Sequence, residues 1–214
     1  MDKLDNINLE KIEELIKGHK PLPVDIKSRY SVLIPLILVD GEIHVLFERR
    51  ADSLRTQPGE VSFPGGKIEA FEEEEAAAIR ETCEELLIEK DKIKIFNQGN
   101  FLVNPNKEVI YTFIGLIDEE FYKIKANRDE VAYLFTAPLS FFIKNPPATY
   151  KTSVKLTKSP DFPYELIPNG ENYKFKRYGE IVEFYHYKDE IIWGFTAKML
   201  RDFLDIISRR LQEI

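Results

Sequence analysis

The apolar positions along this chain follow two rhythms, one helical and one alternating. Leu9, Ile12, Leu15 and Ile16 recur at helical spacing, with Asn8 placed to cap them and Gly18 to stop them. This predicts a short amphipathic helix packed on the domain. Tyr30 to Val39 is rich in Val, Ile and Leu and predicts a buried strand. Asp40-Gly41 signals a tight turn into a second strand from Ile43 to Glu48. Asp52 to Gly66 carries Pro58, Gly59, Pro64, Gly65 and Gly66, so loop is expected, with a short extended piece at Val61 to Phe63. Glu72 to Ile88 has neither Gly nor Pro and is dense in Ala, Glu and Leu, which predicts a helix.

Two further strands are expected at Ile93 to Val103 and Glu108 to Ile117, joined by a turn at Asn104-Pro105-Asn106. Val131 to Phe135 reads as a short strand and Leu139 to Ile143 as a helical turn. Six Pro or Gly residues (Pro146, Pro147, Pro160, Pro163, Pro168, Gly170) break Asn145 to Gly179, predicting long loops with one or two strands. Ile181 to Tyr187 is strand-like. Thr196 to Leu211 closes the chain as an amphipathic helix, with Met199, Leu200, Phe203, Leu204, Ile207 and Leu211 on its apolar face. Strands interleaved with helices define an α/β fold, a mixed sheet between helices. No linker divides residues 1–214, so one domain is expected.

Composition narrows the function classes. The 214 residues are 43% hydrophobic and 31% charged, ordinary values for a globular protein. The run near Ser31 to Val39 is too short to span a bilayer, and Met1 to Gly18 lacks the apolar stretch of a signal peptide. Cys83 is the sole cysteine, so no intrachain disulfide can form. A cytoplasmic, unanchored protein is expected. The formal net charge of -7 disfavours nucleic acid and anionic membranes as partners. It also repels a phosphorylated substrate, unless cations or a local group of Lys and Arg offset it.

The acids are concentrated at Arg80-Glu81-Thr82-Cys83-Glu84-Glu85. On a helix each residue turns by about 100°, so Glu81, Glu84 and Glu85 share one face. Ala76, Ile79, Cys83 and Leu86 gather on the other, which is expected to enter the core. Like charges so placed destabilise a helix by about a few tenths of a kcal/mol per pair. A hard cation such as Mg²⁺ or Mn²⁺, which prefers carboxylate oxygens, would reverse that cost and bring a polyanion to an acidic protein. Taken alone, such a helix is more often a solvated surface than a metal site.

Its setting is more specific. Glu72 follows Gly66 by six positions and Arg80 follows Glu72 by eight, and Glu81, Glu84, Glu85 and Ile88 complete a register that resembles the Nudix box over residues 66–88. Thr82 stands where an apolar residue is usual, and Leu87 where Gly is usual. The resemblance implies a Nudix-type α/β/α sandwich and hydrolysis of a phosphoanhydride with Mg²⁺ or Mn²⁺. It implies Glu81, Glu84 and Glu85 as metal ligands, the first and last most firmly, with Gly65 offering a backbone carbonyl. Arg80 would orient the carboxylates or simply pair with Glu84. Glu72 would support the site from near the helix start, where the helix dipole also favours an acid.

Upstream, Arg50-Ala51, then Arg55, Gly59 and Phe63-Pro64-Gly65-Gly66, each three residues apart, resemble the signature of coenzyme A pyrophosphatases within that superfamily. Phe47 and Glu48 depart from it, and Gln57 stands where many members have His. Ile192 to Ala197 is also similar to the start of that family's last helix. The resemblance implies coenzyme A, or a related small-molecule diphosphate, as substrate. Arg49, Arg50 and Arg55 are candidate phosphate ligands, or else surface residues paired with the excess acids. Phe63 and Trp193 are expected to pack, Cys83 to be buried and inert, and His19, His44 and His186 to stand apart from the site. Glu84, Glu85 and Glu130 remain open as general base. ADP-ribose, a dinucleotide or a nucleoside triphosphate are alternative substrates, and a non-catalytic ligand sensor or a plain structural domain alternative roles. The oligomeric state is open, a homodimer included.

Overall fold

The computed structural model describes residues 8–19, 21, 23–154, 159–175 and 178–213. The first seven residues of the expected 1–18 helical segment, and parts of the Asn145 to Gly179 stretch, lie outside them. Strands β1 (Ser28–Val39) and β2 (Glu42–Arg50) form the hairpin around Asp40-Gly41, both with positive φ. The sheet grows on either side. β3 (Val61–Ser62) and β8 (Val131–Pro138) pair with β2, and β4 (Gly65–Lys67) pairs with β1. β7 (Glu108–Ile117) runs parallel to β1, and β5 (Ile93–Gln98) and β6 (Leu102–Val103) lie antiparallel to β7. The sheet is therefore mixed, as expected.

Alternation along the central strands feeds two cores. Ile34, Val45, Phe47 and Ile114 face one way, onto α3 (Leu139–Lys144) and α4 (Gly194–Gln212). Leu33, Ile37, Leu46, Phe113 and Ile117 face the other, onto α2 (Glu74–Leu86). Phe47 anchors the first core by stacking between Phe63 and Phe135, each 5.2 Å away. A second, three-stranded sheet is built from β9 (Ala148–Val154), β10 (Tyr178–Tyr187) and β11 (Glu190–Trp193), supplying one strand in the Pro-broken region, the strand expected at Ile181 to Tyr187, and the entry into α4. Helices lie on both sides of the main sheet, which is the α/β/α sandwich. Among the described residues no helix is long and apolar enough to cross a membrane.

Three expectations need correction. α1 (Leu9–Ile16) forms, and the Asn8 side chain accepts a hydrogen bond from the Lys11 N–H at 2.8 Å, yet no residue of the helix is buried. Leu9 remains 84% exposed. Periodicity reports that a face is apolar; it does not say what covers it. The last turn of α4 likewise leaves the chain's body, so Leu211 is exposed while Met199, Leu200 and Phe203 are buried.

The third correction concerns α2. Its buried residues are Ala77, Ala78, Thr82, Glu85 and Leu86, whereas Ala76 is exposed and Ile79 and Cys83 are half-buried. The buried face is turned by roughly one residue step, about 100°, from the apolar face read in the sequence. Small side chains at 77 and 78 let it lie close to the sheet, and Thr82 satisfies its buried hydroxyl by donating to the Ala78 carbonyl at 2.7 Å. This rotation carries one carboxylate, that of Glu85, into the interior.

Candidate active site

A cleft of about 400 Å³ opens beside α2, between the strands β1, β3, β4 and β7 and the start of α4. Two of the three box glutamates, Glu81 and Glu85, line it, together with Glu130, Arg50 and Lys67. Val32, Phe63, Ile110, Phe195 and Met199 give it an apolar wall.

The backbone beneath α2 fixes these acids. At Gly65 a Cβ would lie 2.4 Å from the Ser31 carbonyl, so only glycine lets β4 approach β1 this closely. Held there, the Gly65 N–H donates to Glu85 Oε2 at 2.8 Å. At Gly66 a Cβ would stand 2.3 Å from the Glu81 carboxyl carbon, so the missing side chain is the space that this carboxylate fills. Arg80 joins the rest. Its Nε and Nη2 donate to the two oxygens of Glu72 at 2.9 and 3.0 Å, and its Nη1 donates to Glu81 at 2.8 Å and to Glu84 at 3.4 Å. Glu72 is thereby held below the usual carboxylate range, first by its Arg80 hydrogen bond. The Arg80 guanidinium is stabilised in its charged form, first by Glu72.

Glu81, Glu84 and Glu85 therefore differ, although the helix places them on one side. Glu85 is buried, Glu81 half-buried, and Glu84 is exposed and outside the cleft. Among the described residues no three His, Cys, Asp or Glu side chains close on a common point as a finished metal cage. Like charges are instead spread over separate donors, Arg80 for Glu81 and Glu84, the Gly65 N–H for Glu85.

The three arginines also separate. Arg50 lines the cleft, two residues after Glu48 on the same face of β2, where the pairing with β8 shifts register between Arg49 and Arg50. Arg49 instead lies over the Tyr133 ring, 6.0 Å from its centroid, and neither it nor the exposed Arg55 lines the cleft. Strand alternation separates Arg49 from Arg50, and Arg55 lies in the loop that follows β2. Gln57 lines the cleft, with positive φ, and donates to Glu60 at 3.1 Å. Phe63 is in the core, Trp193 stacks on Phe184 at 5.7 Å, and Cys83 is half-buried, with burial pushing its thiol up. His19, His44 and His186 are not among the cleft residues.

Two acids complete the cluster. Glu130 is brought in by the loop before β8: its carbonyl accepts from the Ala51 N–H at 2.8 Å, and the neighbouring Asn127 N–H donates to the Glu85 carbonyl at 2.8 Å. Glu48 was not singled out by sequence reasoning. It lies two residues after Leu46 on β2, so alternation points it to the face that α2 covers, where it is 1% exposed. Ser62 donates to its Oε1 at 2.8 Å, while Oε2 is buried without a partner. Burial raises Glu48, Glu81 and Glu85 above the ordinary carboxylate value, and the neighbouring Glu48 raises Glu85 further. A carboxylate two positions after Leu46, on the face that α2 covers, was the available signal.

A mixed sheet between helices, with a glycine turn packed against an acidic helix, defines a Nudix-type protein. The NUDIX domain matches residues 27–149, and the chain belongs to the Nudix hydrolase family, whose members act on phosphoanhydride bonds. It is 30% identical over 187 residues to Nudix hydrolase 3 of Caenorhabditis elegans, covering 86% of this chain and 75% of that protein. It is 31% identical over 128 residues to the peroxisomal coenzyme A diphosphatase NUDT7 of Mus musculus, covering 59% of this chain and 53% of that one. To the chloroplastic Nudix hydrolase 22 of Arabidopsis thaliana it is 25% identical over 179 residues, covering 80% and 52%.

Proposed function

We propose that this chain hydrolyses the diphosphate of coenzyme A, or of a close derivative, to 3′-phosphoadenosine 5′-phosphate and 4′-phosphopantetheine. The observation that carries the reading is the meeting, in one cleft, of the acids Glu81, Glu85 and Glu130 with the cations Arg50 and Lys67. The mouse coenzyme A diphosphatase among its relatives supports the choice of substrate.

The donor set suits a hard divalent cation, Mg²⁺ or Mn²⁺. Every anionic oxygen present is a carboxylate, and one buried oxygen, Glu48 Oε2, has no hydrogen-bond partner. Glu81 and Glu85 would hold the ion, with the Gly65 carbonyl beside them and Glu84 on the outer side. When bound, the cation offsets charge on phosphoryl oxygens and makes water more acidic. The chain's own residues do the rest. Arg80, fixed by Glu72, keeps the Glu81 carboxylate against Gly66. The Gly65 N–H fixes Glu85. Arg50 and Lys67 bind phosphate oxygens, and the apolar wall from Val32 to Met199 receives the organic part of the substrate. Glu130 takes the proton of the attacking water at its carboxylate, since Glu84 is outside the cleft and Glu85 is tied to Gly65.

The test is incubation with Mg²⁺ or Mn²⁺ and a panel of coenzyme A, acyl-coenzyme A, ADP-ribose, a dinucleotide and a nucleoside triphosphate, with products identified by mass spectrometry. Coenzyme A or its acyl form should be cleaved fastest. Preferred cleavage of another diphosphate moves the substrate and keeps the chemistry, while no cleavage of any compound removes the enzymatic reading. Glu85→Gln should reduce turnover at least roughly a hundredfold with the fold intact.

A further inference from the structure

We propose that Glu48 is a positioning residue of the cation site, a buried carboxylate beneath α2 that tightens the site's hold on a divalent ion through Glu85. The proposal rests on reading the cleft as a cation site.

A strand interior facing a helix normally holds an apolar residue, and Leu46, two positions earlier, does so here. At Glu48 the same face carries a carboxylate that is 1% exposed. Burying such a charge is costly unless it is paired. Its surroundings pair it only halfway. The Ser62 hydroxyl satisfies Oε1 at 2.8 Å, and Oε2 is left with nothing. Arg50 is the one cation acting on it, and the other charges that reach it, Glu81 and Glu130, are acids that also line the cleft. Glu48 is in turn the strongest charged influence on Glu85. As a purely structural residue it would be a poor choice, since Leu or Thr would fill the place without repelling Glu85.

A cation between α2 and the loops resolves the conflict. It attracts the Glu48 carboxylate across the low-dielectric interior, where charge is weakly screened. It would also offset the repulsion between Glu48 and Glu85, which the Gly65 N–H alone opposes. Glu48 then contributes affinity without lining the cleft, and its Ser62 hydrogen bond keeps it from swinging out.

Glu48→Gln keeps the shape and an acceptor for Ser62 while deleting the charge. Manganese chloride is titrated by calorimetry into the full chain, wild type and variant, and the metal-free melting temperature of each is measured. The expected result is Mn²⁺ affinity reduced at least tenfold, with metal-free melting at or above that of wild type. A structural role would instead lower the melting temperature, so weaker affinity accompanied by lower stability overturns the proposal. Unchanged Mn²⁺ affinity overturns it too, and leaves the cation site itself intact. If the wild type binds no Mn²⁺, the cation site fails and the role of Glu48 with it.

Discussion

At the scale of single residues, the candidate site is shaped by what Gly65 and Gly66 leave out. Gly66 has no Cβ because the Glu81 carboxylate occupies that space. The neighbour that would move is the end of a flexible side chain, so Gly66→Ala should fold with little change in melting temperature. Its displaced Glu81 should still cost about tenfold or more in turnover, because small misplacements of reacting groups are expensive. Normal turnover in this variant would show that the position of Glu81 does not matter. The box residues themselves were legible from spacing, since Gly66, Glu72, Arg80, Glu81 and Glu85 meet as that spacing implies. Glu84 and Arg55 shared such spacing, and Arg49 adjoined it, yet all three fall outside the cleft. Their exclusion depends on how the helix is rotated, on which face of β2 meets the cleft, and on the path of the loop after it, none of which is written in residue type. Glu48 shows the opposite case, a buried carboxylate beneath α2 that the upstream signature marked only as a departure.

At the scale of elements, α2 is the informative one. Its extent was readable from the absence of Gly and Pro, but its inward face was not. The apolar residues Ile79 and Cys83 are half-buried while Thr82 and Glu85 are buried, because the small Ala77 and Ala78 set how the helix meets the sheet. Its end holds a local conflict. Leu87, standing where Gly is usual, takes the left-handed conformation, with φ 49° and ψ 46°. That conformation strains a side chain by about 1–2 kcal/mol, and glycine's extra flexibility when unfolded returns about 0.5–1 kcal/mol of this. Leu87 is 58% exposed, so little burial is lost with it. Leu87→Gly should therefore stabilise the protein by about 0.5–1 kcal/mol in urea denaturation. A destabilised variant would mean that the Leu87 side chain packs more strongly than its exposure implies. α1 was equally legible as an amphipathic helix, and its lack of a packing partner was not.

At the scale of the whole molecule, a net charge of -7 and a polyanionic substrate are reconciled by where the charges lie. The acids are gathered where a cation can offset them, and burial makes them sensitive to pH. Glu48 is pushed up to about 7, and Glu85 and Glu81 are raised as well, all first by burial. A group raised in the folded state adds stability below its unfolded value, and loses it as pH rises through the folded value. Glu72, lowered by Arg80, stays ionised across this range and does not change the sign. Metal-free protein should thus melt higher at pH 5.5 than at pH 8.5, and saturating Mn²⁺ should narrow or reverse the difference. A metal-free melting temperature that rises towards pH 8.5 would contradict the burial of these acids.

The most direct test is a Mn²⁺ titration of the wild-type chain and of Glu85→Gln, followed by the signal of free Mn²⁺ in electron paramagnetic resonance. The wild type should take up Mn²⁺, and the variant should lose most of that uptake while retaining its fold. Equal uptake by both proteins, or none by either, would contradict a cation site built on the buried face of α2.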